Sequence, residues 1–251
     1  MLVYPSSIDL SSSTLRHLTR RLTARRRELG TRWRRLSAGR QALLALAHLR
    51  CGGTYAQLAA GFGIGIATVY RYIREAIEVL CVLAPSLDEA RETARKKAFV
   101  ILDGTLLPID RIAVDTPYYS GKHKRHGMNV QVLEDPFGRL LWASAALPGS
   151  THDLTAARSH GIVDALAAEG LKCWADKAYQ GAGWHIRVPF RGRRLKRWKR
   201  RHNSSHAKIR CAGEQAMAVL KGWRLLRKIR CSTNRITDIV KAVLVIHHVS
   251  T

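Results

Sequence analysis

Apolar and polar positions divide the chain into three stretches. Leu15, Leu18, Leu22 and Leu29 recur at near-helical spacing, which predicts one helix with a narrow apolar stripe. The span from Ser37 to about Leu83 predicts three helices. Ser37 caps the first, which runs through Gln41 to Leu49. Cys51-Gly-Gly-Thr54 ends it and caps the second, roughly Tyr55 to Phe62. Gly61, Gly63 and Gly65 break that helix, a third runs from near Ala67 to about Leu83, and Pro85 closes the unit.

From Ala98 on, the pattern alternates between short apolar runs and helical periods. Ala98 to Asp103 reads as a buried strand ending in an acid, and Leu171 to Asp176 reads as another. Asn129 to Leu133 and Leu140 to Leu147 form a strand pair joined through the turn signal Asp135-Pro-Phe-Gly138. Thr151 to Ala168, Ala207 to about Lys221 and Ile236 to His248 read as helices, the last amphipathic. Strands, then a helix, a strand and helices describe a mixed α/β sheet.

Local spacing gives the three-helix stretch a function. Between Tyr55 and Ile73, Ala59 packs where two helices cross and Gly63 supplies a positive φ at the turn. Leu58, Phe62, Ile64 and Val69 hold the two helices at a steep angle, which is the helix-turn-helix spacing. The second helix then presents Thr68, Tyr70, Arg71 and Arg74 for groove and phosphate contacts.

Charge strengthens this reading. The 251 residues carry 43 Lys+Arg against 18 Asp+Glu, a formal net charge of +25. Such a field repels itself unless a polyanion shares its environment, and nucleic acid is the commonest one. Between Arg16 and Arg40 stand Arg16, Arg20, Arg21, Arg25, Arg26, Arg27, Arg32, Arg34, Arg35 and Arg40, with Glu28 the sole acid. No apolar run is long enough to span a bilayer and no secretion signal opens the chain, which argues against membrane and secreted proteins. Cys51, Cys81, Cys173, Cys211 and Cys231 are scattered without a CxxC, so they read as reduced, mostly buried residues rather than disulfide or zinc ligands.

Because acids are scarce, their positions carry information. Phosphodiester cleavage needs an activated oxygen nucleophile and relief of charge on the leaving oxygen, which two Mg²⁺ ions about 3.5–4 Å apart supply. Hard cations take carboxylate oxygens. Asp103 and Asp176 each end a predicted strand, and Gly104 leaves room for a phosphate. Adjacent strand ends project to one edge of a sheet, where α/β sites lie. Glu214 falls in the following helix with Arg210 at i−4, and Lys221 stands nearly two turns further along the same side. Asp153, after Gly149-Ser-Thr-His, is the rival ligand, with a helix cap as its simpler role. Asp110, Asp115 and Asp135 read as turn residues.

The carriers of a family resemblance are now in view. They are Thr54-Tyr-Ala-Gln-Leu-Ala and Thr68-Val-Tyr-Arg-Tyr-Ile, then Leu102-Asp-Gly-Thr105, Gly121-Lys-His-Lys, Pro148-Gly-Ser-Thr-His-Asp153, Ala175-Asp-Lys-Ala-Tyr-Gln-Gly181 and Arg210-x3-Glu214-x6-Lys221. Nearly the whole chain resembles the DDE transposases of the bacterial insertion-sequence-five group, related to Harbinger-type nucleases. The resemblance implies an RNase H-like fold, Mg²⁺ dependence with Mn²⁺ as a substitute, and strand cleavage and joining at terminal inverted repeats. It implies Asp103, Asp176 and Glu214 as the metal-binding catalytic triad; Asp153, Arg210 and Lys221 are the candidates for the residues around them. Many relatives carry Tyr where this chain has Ala207.

The expected layout is a basic helical arm at 1–36, a helix-turn-helix domain at 37–90 and an RNase H-like domain at 96–251 with a basic insertion at 183–206. Eight cations stand in the eleven residues from Arg191 to Arg201. Arg193, Arg194, Arg197, Arg200 and Arg201 suit phosphates, and Trp198 suits stacking on an unpaired base. Expected partners are double-stranded DNA and a second copy of the chain, at the bacterial nucleoid in the cytoplasm. A non-catalytic DNA-binding regulator and a plain endonuclease of the same fold are the alternatives.

Overall fold

A computed structural model describes residues 8–31, 33–110 and 116–250. Arg32 and Asp115, and the first residues of the basic arm, lie outside the described residues. The chain forms two compact units. One runs through Ala84 and takes in Lys221–Lys228 and the stretch from Asn234 onward, and the other comprises Pro85–Leu220 and Ile229–Thr233.

The first unit is helical. It holds α1 (Ser12–Glu28), α2 (Ala38–Cys51), α3 (Tyr55–Phe62) and α4 (Ile66–Cys81). Each predicted cap is used. Ser37 accepts from the Arg40 amide, and Thr54 and Gln57 close a reciprocal capping box. Gly63 ends α3 at φ +65°, a left-handed value that glycine takes without strain, so α4 can leave at a new angle. Leu58, Ala59, Ile64 and Val69 are buried as the helix-turn-helix spacing requires. The arm helix α1 stops at Glu28, and Leu29 is left exposed rather than extending the apolar stripe. A polar clamp ties the bundle: Glu75 of α4 accepts two bonds from Arg34 (3.1 and 3.0 Å) and one from buried Gln41 (2.8 Å), whose oxygen accepts from Arg26.

Sequence-distant helices complete this unit. The short α9 (Arg224–Arg227) packs on α2, and α10 (Ile236–Ser250) packs on α4 and α1. The last helix, expected within the 96–251 domain, thus packs in the helical unit. Its long apolar face, Ile236 through Ile246, needs a partner surface, and α4 offers Ile73, Ala76, Ile77 and Leu80.

The second unit is a mixed sheet between helices. It begins with α5 (Leu87–Arg95), capped by a Ser86/Glu89 box that the sequence reading passed over. The strands are β1 (Val100–Pro108), β2 (Tyr119–Ser120), β3 (Arg125–Glu134), β4 (Leu140–Ala143), β5 (Leu147–Pro148), β6 (Cys173–Ala175) and β7 (Ile186–Arg187). Spatially β3 lies beside β1, β1 beside β6 and β6 beside β7, while β2, β4 and β5 pair with β3. β1 is antiparallel to β3 and parallel to β6, and β6 is parallel to β7. This order and polarity are those of an RNase H-like fold.

Both sheet faces are covered. Leu102, Leu133, Cys173 and Ala175 join Ala90 and Ala94 of α5 and side chains of α6 (Asp153–Ser159) and α7 (Ile162–Ala168) in one core. The single helix expected over 151–168 is broken in two at Gly161, φ +69°. On the other face lies α8 (Arg197–Gly222), where Gly213 approaches Ile101. This helix starts ten residues before the expected Ala207, so the last ten residues of the basic insertion are helical. Trp174 on β6 meets His206 of α8 at 5.1 Å, and the His206 Nε2 bonds the Arg187 carbonyl. All five cysteines are free, as expected, but only Cys173 is buried.

The Glu75 clamp makes a test. Glu75→Ala strands two donors inside the bundle and should cost the helical unit about 2 kcal/mol, the worth of hydrogen bonds to a charged group. Urea unfolding followed by circular dichroism measures it. Glu78→Ala removes only the exposed Arg74 pair and should leave the midpoint almost unchanged.

Candidate active site

The site is built where β6 stops alongside β1. Their parallel register pairs Leu102 with Ala175, so Asp103 and Asp176 are the next residues on neighbouring strands. Asp103 is not a strand end, however: β1 continues to Pro108 because the longer β3 pairs with it throughout. Asp176 does follow the last residue of its strand, and its Oδ1 caps a short turn by accepting from the Ala178 amide at 2.7 Å. Asp103 accepts from the Gly104 amide at 3.0 Å.

A third acid reaches the same edge from the other face of the sheet. Asp153 opens α6, but it does not serve as the cap residue, which is His152. Its buried carboxylate accepts from Asn129 Nδ2 at 2.8 Å and lies against Gly104, where an added Cβ would stand 2.5 Å from Oδ1. Gln131 links Asn129 to the Tyr179 hydroxyl, which donates a short bond to Gln131 Oε1.

Two cations hold these acids. Lys122, carried on the β2–β3 hairpin, lies 3.0 Å from Asp153 Oδ2 and 3.8 Å from Asp176 Oδ2. Burial alone would lower the Lys122 ammonium, but the bond to Asp153 and the charges of Asp153, Asp176 and Asp103 outweigh it and raise it. Arg210 of α8 lies 3.5 Å from Asp103 Oδ1. Burial raises the Asp103 carboxyl, the nearby Asp176 and Asp153 charges push the same way, and Arg210 and the Gly104 amide pull against them.

A fourth acid lies beneath α8. Glu134, paired in register with Ile101, is fully buried, and neither of its oxygens accepts a hydrogen bond from the protein. Gly213 gives it room, since a Cβ there would stand 2.8 Å from Oε2. Burial first, then the charge of Asp103, pushes its carboxyl up to about 9.

The structure thus brings Asp103, Asp176 and Asp153 to one sheet edge with Lys122 and Arg210. It does not bring Glu214 there. Glu214 lies one turn beyond Arg210 on α8, and its side chain is exposed. Lys221 falls in the helical unit. Among the described residues, no three His, Cys, Asp or Glu side chains converge to hold a metal ion. Asp103 and Asp176 nonetheless fit Mg²⁺, which takes one or two carboxylates and fills its remaining positions with water and phosphate oxygens.

Lys122, Asn129, Gln131, Tyr179 and Glu134 went without a role in the sequence reading. Asn129 and Gln131 could have been found: two polar residues of the same parity in an otherwise apolar strand mark a site-facing stripe. Glu134 and Lys122 gave no such signal.

The helix-turn-helix residues and the basic segment divide by exposure. Tyr70, Arg71 and Arg74 are exposed and Thr68 is half-buried. Arg74 is engaged with Glu78 at 2.6 Å. Arg197, Trp198, Arg201, His202 and Ser205 line an open groove of about 580 Å³ along α8, with Arg193, Arg194 and Arg200 exposed nearby in sequence. Trp198 is more than half exposed, with one edge against Phe190.

An RNase H-like sheet with two aspartates on its adjacent central strands, preceded by a helix-turn-helix, defines a nuclease-class DNA-processing protein. The chain belongs to the DDE superfamily endonucleases: that family profile matches residues 102–248, and the profile described as the helix-turn-helix of DDE superfamily endonuclease matches 34–86. It is 30% identical over 217 residues to a Streptomyces albus G protein whose assigned description is transposase for insertion sequence element IS112, covering 84% of this chain and 79% of that protein. No solved structure matches the chain. Endonucleases of this superfamily use divalent metal ions. No helix among the described residues is long and apolar enough to cross a membrane.

Glu134 yields a stability test. Its folded value of about 9 lies above the ordinary 4.5, so between those pH values the folded chain keeps a proton that the unfolded chain releases. The contribution of Glu134 to stability is therefore fullest below pH 4.5 and erodes as pH rises toward 9. Glu134→Gln removes this dependence. Its melting temperature should lie close to wild type near pH 5 and clearly above it at pH 8, by scanning calorimetry.

Proposed function

We propose that the chain is a transposase of the insertion-sequence-five branch, which binds the terminal inverted repeats of its element and cuts and joins DNA strands there with Mg²⁺. The observation that carries this reading is the in-register pair Asp103 and Asp176 at the edge of an RNase H-like sheet. A pure DNA binder gains nothing from acids in its DNA-facing region, where each opposes phosphate.

Asp103 and Asp176 hold the metal in this reading. Glu214, exposed one turn along α8 from the residue that reaches Asp103, would have to turn toward the pair to supply the third carboxylate named by the family motif. Two Mg²⁺ ions, or Mn²⁺ in their place, would activate water and offset charge on the leaving oxygen. Gly104 leaves β1 without a side chain beside Asp103, which suits close approach of a phosphate. Lys122 and Arg210 keep the acids compatible with one another until DNA and metal arrive.

The remaining residues grip DNA. Thr68, Tyr70, Arg71 and Arg74 enter the major groove or meet its phosphates. Arg193, Arg194, Arg197, Arg200 and Arg201 hold the element end, and Trp198 stacks on a frayed base. Lys221 adds a phosphate contact. Joining two ends requires two active sites, so the complex is a homodimer working in the bacterial cytoplasm at the nucleoid. Plain endonuclease activity is the second reading, and a strand-joining product separates the two.

Nicking of duplexes carrying candidate element ends tests the proposal. Mg²⁺ should support it, and Ca²⁺ or chelator should not. Asp103→Ala and Asp176→Ala should abolish nicking while leaving duplex affinity intact or tighter; persistent nicking by either overturns the site assignment. Trp198→Ala should lower cleavage more than duplex binding, and equal losses would remove the stacking role. Arg71→Ala should weaken binding and reduce the salt slope by about 1 in a filter-binding series.

A further inference from the structure

We infer that Glu134 is a positioning residue that receives the Arg210 guanidinium when Asp103 is given over to a metal ion. The inference rests on the metal-nuclease reading of Asp103. It deepens that reading by naming where the resident cation goes.

In the free chain Arg210 is the counter-charge of Asp103, at 3.5 Å. A divalent ion on that carboxylate would stand beside the guanidinium, and two cations so close repel. Arg210 therefore needs another acceptor. It already has unspent capacity, because its Nε is buried and has no hydrogen-bond partner in the protein. Glu134 has the matching surplus: it is fully buried, both oxygens are without a protein donor, and Gly213, three residues along α8 from Arg210, holds open the space it occupies.

An acid buried without partners is costly to keep. An apolar residue facing Ile101 would pack there at less cost, so simple packing does not account for Glu134. The glycine beside it is a second cost, since glycine inside a helix is unfavourable by about 1 kcal/mol relative to alanine. Both become intelligible if the pocket is a resting place for Arg210. The guanidinium needs only acceptor oxygens, which a carboxyl offers in either protonation state. Other groups facing Glu134 are Asp103 and Asp135. Asp135 is engaged with Lys97 and with the Phe137 and Arg139 amides.

The test is Mn²⁺ binding by the full chain without DNA, measured by calorimetry. Glu134→Leu keeps the volume and removes every acceptor. It should weaken Mn²⁺ binding about tenfold, the lower range for the outer partners of a metal site, while the melting temperature holds or rises. Glu134→Gln keeps one acceptor and should fall between. In an Arg210→Met background there is no guanidinium to rehouse, so neither change should weaken binding further. Unchanged affinity in both Glu134 variants, or losses that add to that of Arg210→Met, overturns the inference. If Glu134→Leu does not fold, the Gln variant and its Arg210→Met double mutant decide the matter alone. Asp103→Ala separates the two levels. If it abolishes Mn²⁺ binding while the Glu134 variants bind normally, only the role of Glu134 fails; if it binds like wild type, the metal reading fails and the inference with it.

Discussion

Like charges meet at the edge of β1 and β6, and the arrangement of the second unit follows from making that tolerable. Asp103 and Asp176 come together because a parallel pairing places them side by side, and Asp153 is added from the other face. Unscreened, three carboxylates in a half-buried site would repel one another and give up their ionised form. Lys122 and Arg210 prevent this from opposite sides, one from a hairpin and one from the long helix. The protein is overwhelmingly cationic, yet among the described residues only these two cations pair with the acids. Their placement, rather than the net charge, shapes the site.

That placement depends on close packing around α8. Trp174 and His206 seat the first half of the helix, and Gly213 and Gly138 admit the second. At Gly138, φ is +74° and an added Cβ would lie 2.3 Å from the Ala212 carbonyl oxygen, so both backbone conformation and space demand glycine. The β3–β4 turn is thereby pressed against α8 between Arg210 and Glu214. Arg210 consequently points at Asp103, while Glu214, one residue past Gly213, is exposed.

What the sequence revealed follows from the range of the interactions involved. The helix-turn-helix is written in neighbours: Thr54 with Gln57, Gly63 with its own φ, and Leu58, Ile64 and Val69 at helical spacing. Asp103 and Asp176 were legible because each closes an apolar run. The same rule misled at Gly104, where β1 continues because β3, some 30 residues later, supplies its hydrogen bonds. Lys122 meets acids 31 and 54 residues away through a hairpin that has no apolar signature. Glu134 carries no local signal, since only its pairing with Ile101 makes it interior. For Asp153 the local pattern offers both a helix cap and a rival ligand, and its partners Asn129 and Lys122 place it beside the acids rather than at the cap.

The helical unit is closed by α10, a segment that follows the whole sheet in the chain. The two units are thus nested rather than strung in series. During synthesis the ribosome must release the endonuclease sheet before the bundle that reads DNA can be completed. A message broken within the catalytic region would yield a bundle lacking the helix that covers the apolar face of α4.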